Sequence, residues 1–246
     1  MTALSGLKAN YSPADIEIGG TTHRNLLIEP AGVRSGTTVL IFPDWLGRTA
    51  NQEEFGIRLA AQGHNAVCMD VYGDGRSASD AAEAEALMMP LVTDRSALIM
   101  LLRELVEQVR EMPSVRTDRL AVIGFCFGGL CALDLARSGM RFDLVASFHG
   151  VLDPPDGLPA SPINTRVICF HGWEDPIAPS PSIVGLAHEL AHVGADWELH
   201  CFGRARHAFM MKDAAAPEAG IVYDEAASGR SWQILLSLLE GKRDLG

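Results

Sequence analysis

Short apolar runs rich in β-branched residues recur along the chain at 37–42 (TTVLIF), 66–71 (AVCMDV), 120–123 (LAVI), 144–148 (LVASF), 167–170 (VICF) and 197–202 (WELHCF). Runs of this length without polar alternation predict strands buried on both faces. Between them the apolar positions take up a helical period at 53–61, 93–111, 127–137, 183–192 and 226–239. Within 93–111, Leu98, Leu101, Leu102, Leu105 and Val109 share one face, and Arg103, Glu104, Glu107 and Arg110 hold the other. Alternating strands and helices predict an α/β fold, a mostly parallel sheet with helices on both faces. The Pro-rich stretch 153–162 (DPPDGLPASP) reads as a loop too short to separate a pair of domains, so residues 1–246 are expected to form a single domain. The Ala- and acid-rich stretch 77–86 fits two readings, the start of the long second helix or a mobile flap over a site.

Composition narrows the partners. A chain of 246 residues, 48% hydrophobic and 21% charged, can bury enough surface to fold without metals or disulfides. Twenty Lys and Arg against 31 Asp and Glu give a net charge of −11, the wrong sign for neutralising a phosphate backbone, so no nucleic-acid partner is expected. The opening MTALSGLKANYSPADIEIGG lacks a basic segment followed by an apolar one, and no stretch reaches the ~18 apolar residues of a membrane span. The expectation is a soluble cytoplasmic protein without membrane contact, a monomer or small homo-oligomer. Its five cysteines, Cys68, Cys126, Cys131, Cys169 and Cys201, are odd in number. Four lie in or beside apolar runs, and all read as reduced thiols.

The most informative segment is Gly124-Phe125-Cys126-Phe127-Gly128-Gly129, where an apolar strand runs into a helix. It is a G-x-nucleophile-x-G elbow with Cys in the nucleophile position. So sharp a reversal requires small residues two before and two after the nucleophile, and these are Gly124 and Gly128. The turn sets Cys126 at the positive end of the following helix, which favours thiolate over thiol. Alone, the segment also fits a βα turn whose glycines merely permit close packing, with Cys126 as a filler. A dinucleotide fingerprint is excluded, because Cys126 stands where its second Gly should be. An elbow predicts an acid and then a base, each after a later strand. Asp175 follows the strand at 167–170 in His171-Gly172-Trp173-Glu174-Asp175-Pro176, and His207 follows the strand at 197–202. Each alone could be structural, Asp175 as a turn opener, but together with Cys126 they occur in the required order.

These residues resemble the dienelactone hydrolase family, α/β-hydrolases with a Cys, Asp and His triad. The resemblance is carried by the elbow, by the H-G-W-E-D-P loop at 171–176, by R-H-A-F at 206–209, and by Tyr223 followed by Arg230-Ser231-Trp232. It implies Cys126 as nucleophile, His207 as general base and Asp175 as the residue that orients it. It also implies an acidic residue after the first parallel strand that contacts the cysteine and helps to generate the thiolate. The matching position is Asp44, one methylene shorter than the usual Glu. Family arginines hold a substrate carboxylate, but Met211 occupies the position of one, and Arg76 lies near that of the other. His149 stands where those enzymes carry a Tyr beside the pocket. A pocket edged by Met210, Met211, Trp173 and Met88 or Met89 would suit an apolar acyl or alcohol group, with Arg76, Arg204 or Arg206 as alternative anion contacts.

The leading reading is hydrolysis of a small carboxylic ester or lactone. Cys126 would form an acyl-enzyme, backbone N–H groups of Phe127 and Trp45 would hold the oxyanion, and His207 would activate water, without a cofactor. The alternatives are cleavage of a thioester or activated amide by the same apparatus, or a non-catalytic ligand-binding or redox-sensing relative with Cys126 as an oxidisable thiol. His188 and His192 lie in His-Glu-Leu-Ala-His, which fits the H-E-x-x-H zinc pattern. Only His200, on a strand, is at hand as a third ligand, and no metal is expected.

Overall fold

In the computed structural model, which describes residues 9–32, 36–157 and 161–241, the chain enters through a hairpin that the buried-run pattern does not predict. Ala9–Ile18 (β1) and Thr21–Pro30 (β2) pair antiparallel. Gly19 and Gly20 join them with φ of +58° and +84°, the left-handed pair that a tight two-residue hairpin turn needs. β1 lies at the sheet edge, where Pro13 removes no bond from an inner ladder.

There follow β3 (Thr38–Phe42), α1 (Ala50–Ala60), β4 (Asn65–Cys68), α2 (Ala81–Thr93), α3 (Arg95–Glu111), β5 (Leu120–Phe125) and α4 (Phe127–Arg137). The chain continues through β6 (Leu144–Phe148), β7 (Val167–Gly172), α5 (Ser180–His192), β8 (Trp197–Phe202), the short strands β9 (Ala215–Ala216) and β10 (Ile221–Val222), and α6 (Glu225–Leu239). One eight-stranded sheet has the order β1-β2-β4-β3-β5-β6-β7-β8, and from β4 to β8 every neighbouring pair is parallel. From β3 the chain crosses first to β4 on one side and then to β5 on the other. The loops after β3 and β5 therefore meet at the carboxyl edge of the sheet, the usual place for a site in such folds.

Alternation along each strand divides the core. Val39 and Ile41 of β3 pack in one cluster with Phe55, Leu59, Trp232 and Leu235 of α1 and α6. Leu40 and Phe42 pack on the opposite face with Leu98, Leu102, Leu130 and Leu186 of α3, α4 and α5. The predicted helices and central strands are present, with ends displaced by up to three residues.

Two readings change. The stretch 77–86 leads into a separate helix, α2, rather than the start of α3. Asp80 caps α2 by accepting from the Glu83 N–H, and the Glu83 carboxylate returns to Ser79. Asp94 then leaves helical geometry with φ −112° and ψ +77° and caps α3 through the Ala97 N–H. β8 is the edge strand and is mostly half-buried, not covered on both faces. Residues 158–160 of the expected loop 153–162 lie outside the described residues, and the described portion of it has no helix or strand. Among the described residues no helix is long and apolar enough to cross a membrane.

Candidate active site

β5 passes into α4 through one residue, Cys126, at φ +52° and ψ −113°. For a residue with a side chain this backbone costs on the order of 1–3 kcal/mol and persists only where its surroundings enforce it. Here the neighbours do. A Cβ on Gly124 would stand 1.9 Å from the Gly128 oxygen, and one on Gly128 would stand 2.2 Å from the Phe42 oxygen. The Cys126 N–H donates to the Phe148 oxygen at 3.1 Å, which fixes the turn to β6 and leaves the sulfur half-buried at the end of α4. Gly124→Ala and Gly128→Ala are each expected to lower stability by about 3 kcal/mol or more, because the atoms met are backbone and cannot step aside. Urea unfolding measures this, and a loss below ~1 kcal/mol would contradict the packing described.

Asp175 and His207, on the loops after β7 and β8, meet beside Cys126. Asp175 Oδ2 and His207 Nδ1 are 2.8 Å apart, with only 2% and 3% of the two residues exposed. The Ile177 and Ala178 N–H groups donate to Asp175 Oδ1 at 2.8 and 3.2 Å. Burial alone would raise the Asp175 pKa, but the hydrogen bond and charge of His207, with His171 and the Ile177 N–H, outweigh it and hold the carboxyl below its ordinary range. For His207 burial favours the neutral ring. The electrostatic pull of the neighbouring Cys126, the hydrogen bond to Asp175 and the charge of Asp175 prevail, and the pKa rises to about 10, while His207 Nε2 itself has no hydrogen-bond partner among the described residues. The His207 backbone is held on both sides, its N–H donating to Gly220 and its oxygen accepting from Val222, both at 3.0 Å. The short segment around β10 thus fixes where the imidazole sits.

Cys126 and His207 open on a cavity of about 380 Å³, lined also by Asp44, Trp45, Met88, Val92, Arg95, Phe127, Leu130, His149, Val151, Ile177, Ala208, Met211 and Ile221. Among the described residues the backbone N–H groups of Trp45 and Phe127 have no hydrogen-bond partner. Asp44 Oδ1 accepts from the Leu46 N–H at 2.8 Å. Burial, reinforced by Asp213, raises the Asp44 pKa to about 6 against the opposing pull of Leu46 and His207. His149 is fully buried at φ +38°, neither ring nitrogen has a partner, and its ring meets that of His207 edge-on at 5.3 Å. Burial, then the charges of His207 and His171, push its pKa well down, so the ring is neutral.

Several residues singled out in the sequence stand away from this cavity. Trp173 is 48% exposed. Arg206 turns to the Pro217 oxygen and to Glu174. Arg76 hooks the oxygens of Tyr72 and Gly73. Met210 packs in the core cluster against α1 and α6, and Arg204 and Met89 are exposed. His188 and His192 are exposed on α5, and no three His, Cys, Asp or Glu residues converge as a metal site among the described residues. Sequence reasoning missed Arg95, the one arginine lining the cavity. Its guanidinium is paired through Nε and one terminal nitrogen, at 2.7 and 2.6 Å, with Asp134, which is fully buried. The signal was Asp134 itself, an acid in the apolar run Leu130-Cys131-Ala132-Leu133-Asp134-Leu135, since a buried carboxylate implies a cation.

The sequence model of the dienelactone hydrolase family matches residues 24–242. A probable 2-oxo-3-(5-oxofuran-2-ylidene)propanoate lactonase of Bradyrhizobium sp is 27% identical over 217 residues, covering 83% of this chain and 87% of that protein. The solved structure named m3DLH is 32% identical with a TM-score of 0.87, covering 95% of this chain and 98% of its own. The dienelactone hydrolase-like promiscuous phosphotriesterase P91, from metagenomic libraries, is 28% identical with a TM-score of 0.88 over the same shares, 95% and 98%.

Proposed function

This chain belongs to the dienelactone hydrolase family of ester and lactone hydrolases, and we propose that it cleaves a small uncharged carboxylic ester or lactone through an acyl-enzyme on Cys126. The observation that carries this reading is the buried Asp175–His207 pair, 2.8 Å apart, opening with Cys126 on one cavity, where the surrounding charges raise the His207 pKa and favour the imidazolium. A thiolate beside an imidazolium is the attacking form of a cysteine nucleophile. Its sulfur adds to the carbonyl carbon, and the oxygen that gains charge is met by the free N–H groups of Trp45 and Phe127. As the C–O bond breaks, His207 gives its proton to the leaving oxygen. A water then loses a proton to His207 and attacks the thioester carbon, which releases the acid and restores the thiolate. Asp175 holds the ring in one tautomer and orientation. Asp44, beside the same cavity, would tune the negative charge near Cys126.

The cavity wall supports an uncharged substrate. Met88, Val92, Leu130, Val151, Ile177 and Met211 supply its apolar surface, and the guanidinium of Arg95 is committed to Asp134. The ring of His149 also lines the cavity, with both of its nitrogens buried. For a matched pair, a neutral ester and its carboxylate-bearing analogue, kcat/KM should favour the neutral member by about 10- to 150-fold, the worth of one absent charge-assisted hydrogen bond. A preference for the anion that disappears in Arg95→Met would overturn this specificity and assign Arg95 to carboxylate recognition.

A second reading is favoured by one observation, the likeness to P91 over nearly the whole chain. A neutral phosphotriester fits an apolar cavity, and the same thiolate could attack phosphorus and expel an aryloxide. Including p-nitrophenyl diethyl phosphate beside p-nitrophenyl acyl esters tests both. The ester reading expects acyl turnover to exceed phosphotriester turnover, and the reverse order would favour the second.

A further inference from the structure

The two N–H groups assigned to the oxyanion sit on separate loops, Trp45 after β3 and Phe127 after β5, and catalysis needs them at one spacing. A third loop, after β4, lies against both. It is organised by Asp70, which is fully buried and accepts from the N–H groups of Arg24, Gly73 and Gly75 at 2.9, 2.9 and 2.8 Å. The Asp70 N–H donates to Asn25 Oδ1, and its oxygen pairs with His23 Nδ1. The turn so gathered is left-handed at Gly73, Asp74 and Gly75, with φ of +77°, +57° and +67°. The Arg76 guanidinium closes it on the Tyr72 and Gly73 oxygens.

Tyr72 is what this arrangement presents. Its hydroxyl donates to the Trp45 oxygen at 2.8 Å, and its ring lies parallel to that of Phe127, 6.0 Å away with an 11° interplanar angle. Asp44 Oδ1 accepts from the Leu46 N–H, so the Trp45–Leu46 peptide is gripped at both its oxygen and its nitrogen. The same loops are joined by the Ala78 N–H, which donates to the Leu46 oxygen at 2.9 Å, and by the bridge between Gly47 and Ser77. Burial raises the Tyr72 pKa far above its ordinary value, so the phenol remains a donor throughout the neutral and alkaline range.

We propose that Tyr72 is a positioning residue for the oxyanion hole, fixing the Trp45–Leu46 peptide with its hydroxyl and the Phe127 ring with its own. The proposal rests on the reading of Trp45 and Phe127 as the oxyanion donors. It also gives Arg76 a task, holding the turn that carries Tyr72, in place of substrate contact.

Tyr72→Phe keeps the ring and deletes the hydroxyl. It should lower kcat by about tenfold with KM within twofold, because a loosened Trp45 N–H is felt where charge develops on oxygen. Affinity for an aldehyde analogue of the acyl group, whose hemithioacetal oxygen occupies the hole, should fall by the same factor. The rate at which iodoacetamide alkylates Cys126 needs the thiolate but no oxyanion hole, and should stay within twofold. Substituting 4-aminophenylalanine at position 72 restores a donor and should return kcat to within threefold of wild type. If Tyr72→Phe proves too unstable to assay, 4-fluorophenylalanine at position 72, which fills the place of the hydroxyl without a donor, replaces it and should show the same split between kcat and alkylation. Unchanged kcat and aldehyde affinity would overturn the proposal, as would a parallel fall in alkylation, which marks a general disturbance. Failure of the ester reading is separate, since it would appear as ester turnover that is absent from the wild-type protein or undiminished in Cys126→Ala.

Discussion

Cys126→Ala is expected to lower kcat/KM for a neutral aryl ester by about 10⁴-fold or more, with the fold retained. Removing the nucleophile from a triad leaves only the contribution of oxyanion donors and binding. The side chain is half-buried at the cavity and small, so its loss opens little space in the core. Cys126→Ser should retain at most a little activity, because a hydroxyl gives up its proton far less readily in a site arranged around sulfur. Iodoacetamide should label Cys126 ahead of the other thiols, and inactivation should track that label. Cys68, Cys131 and Cys169 are buried in the core, and burial pushes their pKa values up, that of Cys169 to about 12. Exposed Cys201 is the one competitor by access, and its pKa is also raised by partial burial. Full activity in Cys126→Ala, measured on a panel of chromogenic esters, would remove the nucleophile from this account.

The second large effect is expected at the proton-handling pair. His207→Ala should lower kcat by about 10⁴-fold or more, and Asp175→Asn by ~10³- to 10⁴-fold, since an amide facing Nδ1 favours the wrong imidazole tautomer. The structure gives Asp175→Asn a further consequence. Asp175 Oδ1 accepts the Ile177 and Ala178 N–H groups, while Oδ2 faces His207. If the new amide keeps its oxygen toward those N–H groups, its NH₂ must point at His207. Steady-state kinetics and circular dichroism on the same preparation separate lost chemistry from lost fold. An Asp175→Asn variant within twofold of wild type would move the acid role away from Asp175.

What could be read from the sequence follows a pattern. The elbow was legible because its constraint is local. Backbone packed against backbone at Gly124 and Gly128 admits no side chain, and the order Cys126, Asp175, His207 follows from parallel strands ending at one edge. The β1–β2 hairpin carried its own signal, Gly19-Gly20 between alternating strands with Ile16 and Leu27 turned inward. It was missed because its strands are not continuous apolar runs. The break between α2 and α3 was hidden by composition. The apolar stretch Leu87-Met88-Met89-Pro90-Leu91-Val92 looks continuous with the helix beyond, and only the caps Asp80 and Asp94 mark two elements. Pocket residues were least legible, since nearness in sequence to a site does not set the direction of a side chain. Trp173 and Arg206 adjoin Asp175 and His207 in the chain yet leave the cavity. Arg95 enters it, drawn to Asp134, 39 residues away.

The central claim is a covalent intermediate on Cys126, and the most direct measurement is intact-protein mass spectrometry after rapid acid quench during turnover of a p-nitrophenyl ester. The account predicts an adduct of one acyl group that forms with the release of p-nitrophenol, maps to the peptide containing Cys126, and accumulates in His207→Ala given time to acylate, because the water that should remove it is no longer activated. Turnover by wild type with the burst of product but no adduct, or with the acyl group on any other residue, would contradict it.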